Sequence, residues 1–177
     1  MQISHRLMLG GAALGAATGL GATAARAETL NLTVTIPRLT VAEYHRPYVA
    51  IWLEAQGAAP RTLAVWYDVD KAKGEGMKWL RDIRTFWRTA GRTMSFPADG
   101  ISGATRAPGA NKISFVTGKG PIGTLAAGNY TLVVEAAREV GGRELVRIPF
   151  AWPPKGRATL SASGTSELGA VTLNIAK

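Results

Sequence analysis

The chain has 177 residues, a formal charge of +9, 46% hydrophobic residues and no cysteine. Without cysteine there is no thiol catalysis, no iron–sulfur ligation and no thiolate zinc site, and stability rests on a hydrophobic core rather than on disulfides. The charge is basic but forms no Lys/Arg block, so an acidic protein or a bound phosphate is the expected partner and nucleic acid is not.

The first residues read as a secretory leader. Arg6 supplies the positive start, a weakly apolar Ala/Gly/Leu run follows from Leu7 to about Ala25, and Ala25-Arg26-Ala27 is an A-x-A cleavage site. The expectation is a signal peptide over residues 1–27, cleaved after Ala27. Residues 28–177 then form one domain, with a charge of +7 once Arg6 and Arg26 are set aside. That length suffices for a single proper core. His5 leaves with the leader, so only His45 remains, and a multi-histidine metal site or a haem with two histidine ligands from one chain is excluded.

ETLNLTVTI alternates, with Leu30, Leu32, Val34 and Ile36 on one side and Asn31, Thr33 and Thr35 on the other, which predicts a strand with one buried face. RPYVAIWLE (Arg46–Glu54) and RTLAVWYDV (Arg61–Val69) are apolar on both faces and read as central strands joined by a turn. The period then changes. In MKWLRDIRTFWRTAG, Trp79, Leu80, Ile83, Phe86 and Trp87 recur at helical spacing, opposite Lys78, Arg81, Asp82, Thr85 and Arg88. This predicts one amphipathic helix ended by Gly91 in the left-handed region. KISFV, NYTLVVEAARE, a Gly141-Gly142 hairpin into RELVRIPF, RATLSASG and GAVTLNIA complete seven or eight strands. The predicted fold is mostly β, an antiparallel immunoglobulin-like β-sandwich with one amphipathic helix.

Two glycine-rich stretches are candidates for chemistry. Gly118-Lys119-Gly120-Pro121-Ile122-Gly123 fits G-x-G-x-x-G, but Pro121 and Gly128 leave no room for the helix that would hold a pyrophosphate, so it reads as a turn. No G-x-S-x-G elbow exists, and a hydrolase triad would have to use His45, which sits in YHRPY at a strand entry and reads as a loop or ligand-contacting residue. The second stretch is DGISGAT, Asp99 to Thr105, followed by Arg106, Pro108 and Gly109. It reads as an adaptable loop, with Gly100, Gly103 and Ala104 keeping the surroundings of the Thr105 hydroxyl small. Asp99 and Ser102 are placed to bond the local backbone or to assist an enzyme that modifies the loop.

DGISGAT resembles the covalent FMN attachment motif of the flavin-carrying subunits of the sodium-pumping NADH:quinone reductase and of its ferredoxin-oxidising relative. The match runs through Asp99, Gly100, Ile101, Ser102, Gly103, Ala104 and Thr105 without departure. The resemblance implies that a flavin transferase, using Mg²⁺, takes FMN from FAD and leaves it on Thr105 as a phosphoester. RPYVAIWLE, RTLAVWY, WLRDIRTFWR, AGNYTLVVEAARE and GGRELVRIPFAWP resemble a second group. These are small predicted periplasmic proteins that recur with flavin transferases and with membrane-bound reductase subunits. This second likeness implies a bacterial periplasmic electron carrier, sometimes linked to iron uptake, that meets the membrane only through its partners and is a carrier rather than a stand-alone enzyme. Arg106 is then a candidate for the phosphoester. Arg84, Arg88 and Arg92 are candidates for a reduced anionic flavin, and Trp79 or Trp87 for stacking. No metal ligand is assigned. The alternative is a non-redox exported β-sandwich that binds a protein or small ligand through its basic surface.

Overall fold

A computed structural model describes residues 28–176; the leader expected over residues 1–27 lies outside them. The described residues form nine strands: β1 Thr29–Ile36, β2 Tyr48–Ala55, β3 Arg61–Tyr67, β4 Ser102–Ala104, β5 Gly109–Val116, β6 Gly128–Ala137, β7 Arg143–Trp152, β8 Ala158–Ser163 and β9 Ala170–Ala176. They make two sheets, of order β5-β1-β9-β8 and β4-β3-β2-β6-β7. All pairings are antiparallel except β3–β4. The protein is a mostly β sandwich, as its alternating strands predict.

The alternation of β1 fixes its register. Leu30, Leu32 and Val34 lie opposite Ile175, Leu173 and Val171 of β9, and all six are buried. A slip of one residue would turn that whole set to solvent. These side chains meet Val49, Ile51, Leu63, Trp66, Leu132 and Val134 of the other sheet in the main core. The second face of β2, β3 and β6 is also buried. Ala50, Trp52, Val65, Tyr67 and Val133 pack under Leu80, Ile83 and Phe86, which is why those strands read as apolar on both sides.

The helical cover differs from the single helix expected. A 3₁₀ segment, Ala72–Asp82, precedes a short α-helix, α1 Arg84–Thr89, and the two are separated at Ile83, whose ψ of 72° is not helical. The physical reason is a buried carboxylate. In a continuous helix the amides of Thr85 and Phe86 would bond the carbonyls of Arg81 and Asp82. Here they donate to the Glu135 carboxylate of β6, at 3.0 and 2.7 Å. Leu80, Ile83 and Phe86 are buried and Lys78, Arg81, Asp82 and Arg88 exposed as expected, but Trp79, expected on the apolar face, is turned out of it and is 42% exposed. Gly91 does not take the left-handed conformation expected of it, being absent from the residues of positive φ. It is needed for space, since a Cβ there would lie 2.9 Å from the Phe86 ring.

The DGISGAT segment is also more ordered than the loop expected. Ser102–Ala104 adds as β4 to the edge of β3, in parallel register with Val65, Trp66 and Tyr67. The Val65 amide donates to the Ile101 carbonyl at 2.9 Å. Sequence patterning passes over this strand because it has three small residues and no alternation. The Gly118–Gly123 stretch is the turn expected, closed by the Gly118 amide on the Gly123 carbonyl at 2.8 Å. The β6–β7 hairpin also forms, with Ala137 opposite Arg143.

Candidate functional site

Thr105 stands where the chain leaves one sheet for the other. β4 ends at Ala104 on the edge of the five-stranded sheet, and β5 begins at Gly109 on the edge of the four-stranded one. The crossover from Thr105 to Pro108 has no regular structure. The turn before β4 is tightly built. The Ile101 amide donates to the Ala98 carbonyl at 3.2 Å, across Gly100 at φ +67°. That left-handed position suits glycine. Ser102 bonds Ala98 twice: its hydroxyl accepts from the Ala98 amide and its own amide donates to the Ala98 carbonyl, both at 2.9 Å. Ser102 thus takes the local backbone role expected of it. Asp99 is exposed and forms no such bond among the described residues.

The Thr105 hydroxyl is half-buried and donates to Asp68 Oδ1 over a long 3.4 Å. Asp68 follows β3 directly, and its other oxygen faces Lys71 Nζ at 3.3 Å. Gly76 presses on the same place, since a Cβ there would lie 2.0 Å from the Asp68 carbonyl oxygen. The 3₁₀ segment can approach Asp68 this closely only with glycine at that position.

Two clefts open at Thr105. The first, of about 330 Å³, has Tyr44, His45, Arg46, Tyr48 and Trp79 among its walls, with Arg138 and Glu139 from the end of β6. The second, of about 440 Å³, is shallower and lies between Asp68, Asp70 and Lys71. Arg46 and Asp68 line both. The first lies in the size range of small-molecule sites. It has a flat apolar wall, because Trp79 is 42% exposed whereas Leu80, next to it, is buried.

Its cations differ in availability. The Arg138 guanidinium is buried and bidentate on Glu167, with Nε–Oε2 at 2.9 Å and Nη2–Oε1 at 3.1 Å. Arg46 is exposed and has no ion-pair partner among the described residues. His45 Nε2 lies 2.8 Å from Glu43. Two phenols complete the cleft. The hydroxyls of Tyr44 and Tyr48 are buried and bond no protein group among the described residues. Burial, and next the adjacent Asp68 carboxylate, raise the Tyr48 pKa above the ordinary tyrosine value. Tyr44 is also raised, by burial against the opposing pull of Arg138. Both therefore stay protonated and can donate.

The structure separates the other sequence candidates. Arg106 stacks over the Trp66 ring, its guanidinium carbon 5.2 Å from the centroid, an arrangement of cation–π type. Arg84 lines a neighbouring depression with Trp79, whereas Arg88 and Arg92 line neither cleft at Thr105. Trp87 packs on the second core. Of the two tryptophans, Trp79 alone reaches the Thr105 cleft. Sequence reasoning passed over Tyr44, Arg46, Tyr48, Asp68, Arg138 and Glu139 as site residues. The clustering of aromatic and basic residues in YHRPY was the available signal.

The family model described as "Predicted periplasmic protein (DUF2271)" matches residues 29–170, from the first strand to the start of the last and including DGISGAT and the whole cleft. The chain belongs to this family. Its membership carries the periplasmic setting expected of an exported chain. No curated protein and no solved structure matches significantly.

Proposed function

We propose that this periplasmic protein carries FMN on Thr105 through a phosphoester and passes electrons between a membrane-bound reductase subunit and an acceptor outside the cytoplasm. One observation carries the reading: DGISGAT delivers Thr105 to the mouth of a ligand-sized cleft, at an irregular crossover between two sheet edges. The acceptor hydroxyl must be reached by a second enzyme; Thr105 is half-buried, but it lies on an irregular crossover and is held by only one long hydrogen bond. In the attachment step the Thr105 Oγ1–phosphorus bond forms and the pyrophosphate bond of FAD breaks. AMP and the hydroxyl proton leave. Asp68, within 3.4 Å of that hydroxyl, is the nearby base to hold the proton.

The residues present suit the group. Arg46 has no ion-pair partner among the described residues, lines the same clefts as Thr105 and is the candidate to balance the phosphoester. Trp79 offers an apolar face. Bound flavin would supply the reversible redox step, and the protein would set its solvation and charge. The exposed row of Lys78, Arg81, Arg84 and Arg88 is opposed by Asp82 and by Glu75, which pairs with Lys78 at 3.0 Å, and keeps an excess of positive charge. Such a row steers acidic partners into the brief contacts typical of electron transfer.

Co-production with a flavin transferase in an exporting host tests the proposal. Intact mass is expected to show one FMN less water, with fluorescence surviving denaturation. Thr105→Ala is expected to lose the adduct and keep its melting temperature, since the residue contributes only one long hydrogen bond. Flavin retained on Thr105→Ala refutes Thr105 as the acceptor.

A further inference from the structure

We propose that the isoalloxazine ring of the Thr105-linked flavin docks in the cleft between Tyr48 and Trp79, with the phenol hydroxyls of Tyr48 and Tyr44 donating to its carbonyl edge, rather than moving free in solvent. This rests on the flavin reading above and adds where the ring goes and what holds it.

Three observations converge on the cleft. The first is the pair of orphaned hydroxyls. Tyr48 is only 8% exposed and packs edge-on to the buried Tyr67 ring, 6.2 Å between centroids. A phenylalanine would satisfy that packing equally well. The hydroxyl instead stands in the cleft wall close to the backbone and carboxylate of Asp68, its polar neighbours, and makes no well-formed hydrogen bond among the described residues. Tyr44, on the same wall, repeats the pattern. Buried polar groups nearly always find partners, and an exception requires a reason. A ligand presenting acceptor oxygens to two protonated donors is such a reason.

The second observation is Trp79. It is the one large aromatic exposed among the described residues, and it lines the cleft. An indole face left open beside phenol donors fits a flat heteroaromatic ring with carbonyls at one edge. The third is the contrast with the other cleft at Thr105. That one is bounded by Asp68, Asp70 and Lys71, and its aromatic, Tyr67, is buried at 2% exposure. It offers charge but no open ring face. Arg46 borders both clefts, so the phosphoester end stays near a cation whichever way the ring turns.

The test uses the flavin-loaded full protein and three variants: Trp79→Ala, Tyr48→Phe and Tyr44→Phe. Intact mass first establishes that each carries the adduct. Flavin fluorescence then reports stacking. In the parent the emission is expected to be quenched several-fold relative to free FMN. Trp79→Ala is expected to lower the docked-to-free ratio roughly tenfold, as for loss of one aromatic stacking partner, and to restore emission. Tyr48→Phe and Tyr44→Phe are expected to shift the flavin absorption bands and raise emission. The same variants without flavin are expected to melt no lower than the parent, because an unpartnered buried hydroxyl is removed. A merely structural tyrosine would show the reverse, with lower unloaded stability and an unchanged spectrum. Emission equal to free FMN in the loaded parent, or insensitive to all three substitutions, overturns the docked ring while leaving the Thr105 adduct standing. Absence of the adduct from the parent's mass overturns the flavin reading and this inference together.

Discussion

Glu135 is the buried charge on which the helical cover depends, and replacing it with glutamine isolates that role. The side chain is 0% exposed. It accepts from the amides of Thr85 and Phe86 at 3.0 and 2.7 Å and pairs with Arg143 Nη1 at 2.9 Å. Glutamine keeps the shape and one acceptor oxygen. Its amide nitrogen must then face either the Phe86 N–H or the Thr85 and Arg143 donors, setting donor against donor. Breaking a buried, hydrogen-bonded charge pair costs about 3–5 kcal/mol, out of about 5–15 kcal/mol for a whole domain. At about 2–4 °C per kcal/mol for this size, the melting temperature of Glu135→Gln should fall by of order 10 °C. Arg143→Met should cost a comparable amount: Arg143 is 40% exposed in its side chain, but its loss leaves the fully buried Glu135 carboxylate without its cation. Urea unfolding of the two variants measures both costs. If Glu135→Gln lies within about 1 kcal/mol of the parent, the two amides have found the Arg81 and Asp82 carbonyls. A rise in far-ultraviolet helical signal would accompany that repair. The break at Ile83 would then have another cause, and Glu135 would not be the anchor of the segment that presents Trp79.

Two further outcomes follow from single side chains. A Cβ on Gly103 would meet Trp66 at 3.5 Å and Arg106 at 3.9 Å, both ordinary contacts, so Gly103→Ala should hold or raise stability by up to about 1 kcal/mol. Under the proposed attachment, in which the small residues serve the transferase rather than the fold, its flavinylation by mass should nevertheless drop; complete modification would remove that reason for them. Glu144 is partly desolvated, which raises its pKa, but the amides of Thr165, Leu168 and Ser166 outweigh this and hold it at about 2. A depressed carboxylate adds stability that is full above the unfolded value near pH 4.3 and is lost as pH falls through about 2. At this partly exposed site the contribution is about 1–2 kcal/mol after solvent screening. The stability gap between the parent and Glu144→Gln should therefore close between about pH 4.5 and 2; a gap constant with pH would sink the assignment.

The fold was legible where burial imposes a period. Leu30, Leu32, Val34 and Ile36 announce β1 and its face, and the doubly apolar β2 and β3 announce a layer on each side. What failed was set by contacts distant in sequence. The predicted continuous helix breaks because Glu135, some fifty residues on, takes two of its amides. Nothing local to Ile83 signals that. Gly91 carries the composition of a helix terminus, yet its role is to make room for Phe86. β4 is a strand because β3 offers an open edge, and Gly103 and Ala104 have too little side chain to display a period of two.

The site divides along the same line, and the division has a physical basis. DGISGAT is legible as a string because its proposed reader, a flavin transferase, would meet it as a short accessible segment, so acid, small residues and acceptor must be consecutive. Nothing comparable constrains the cleft. Tyr44 precedes β2 and Tyr48 opens it, Asp68 follows β3, Trp79 comes from the 3₁₀ segment and Arg138 follows β6. Only the pairing of β2 with β3 and β6 brings them together. A residue such as Tyr48 reads in the sequence as one more apolar member of a central strand. Its hydroxyl becomes informative only once the sheet has buried it and left it without a partner. The proposed attachment and docking thus depend on different things: the first on a linear motif at an irregular crossover, the second on tertiary register. A substitution that shifts β2 against β6 should therefore spare the adduct on Thr105 and release the ring, whereas one within DGISGAT should abolish the adduct and leave the cleft itself intact.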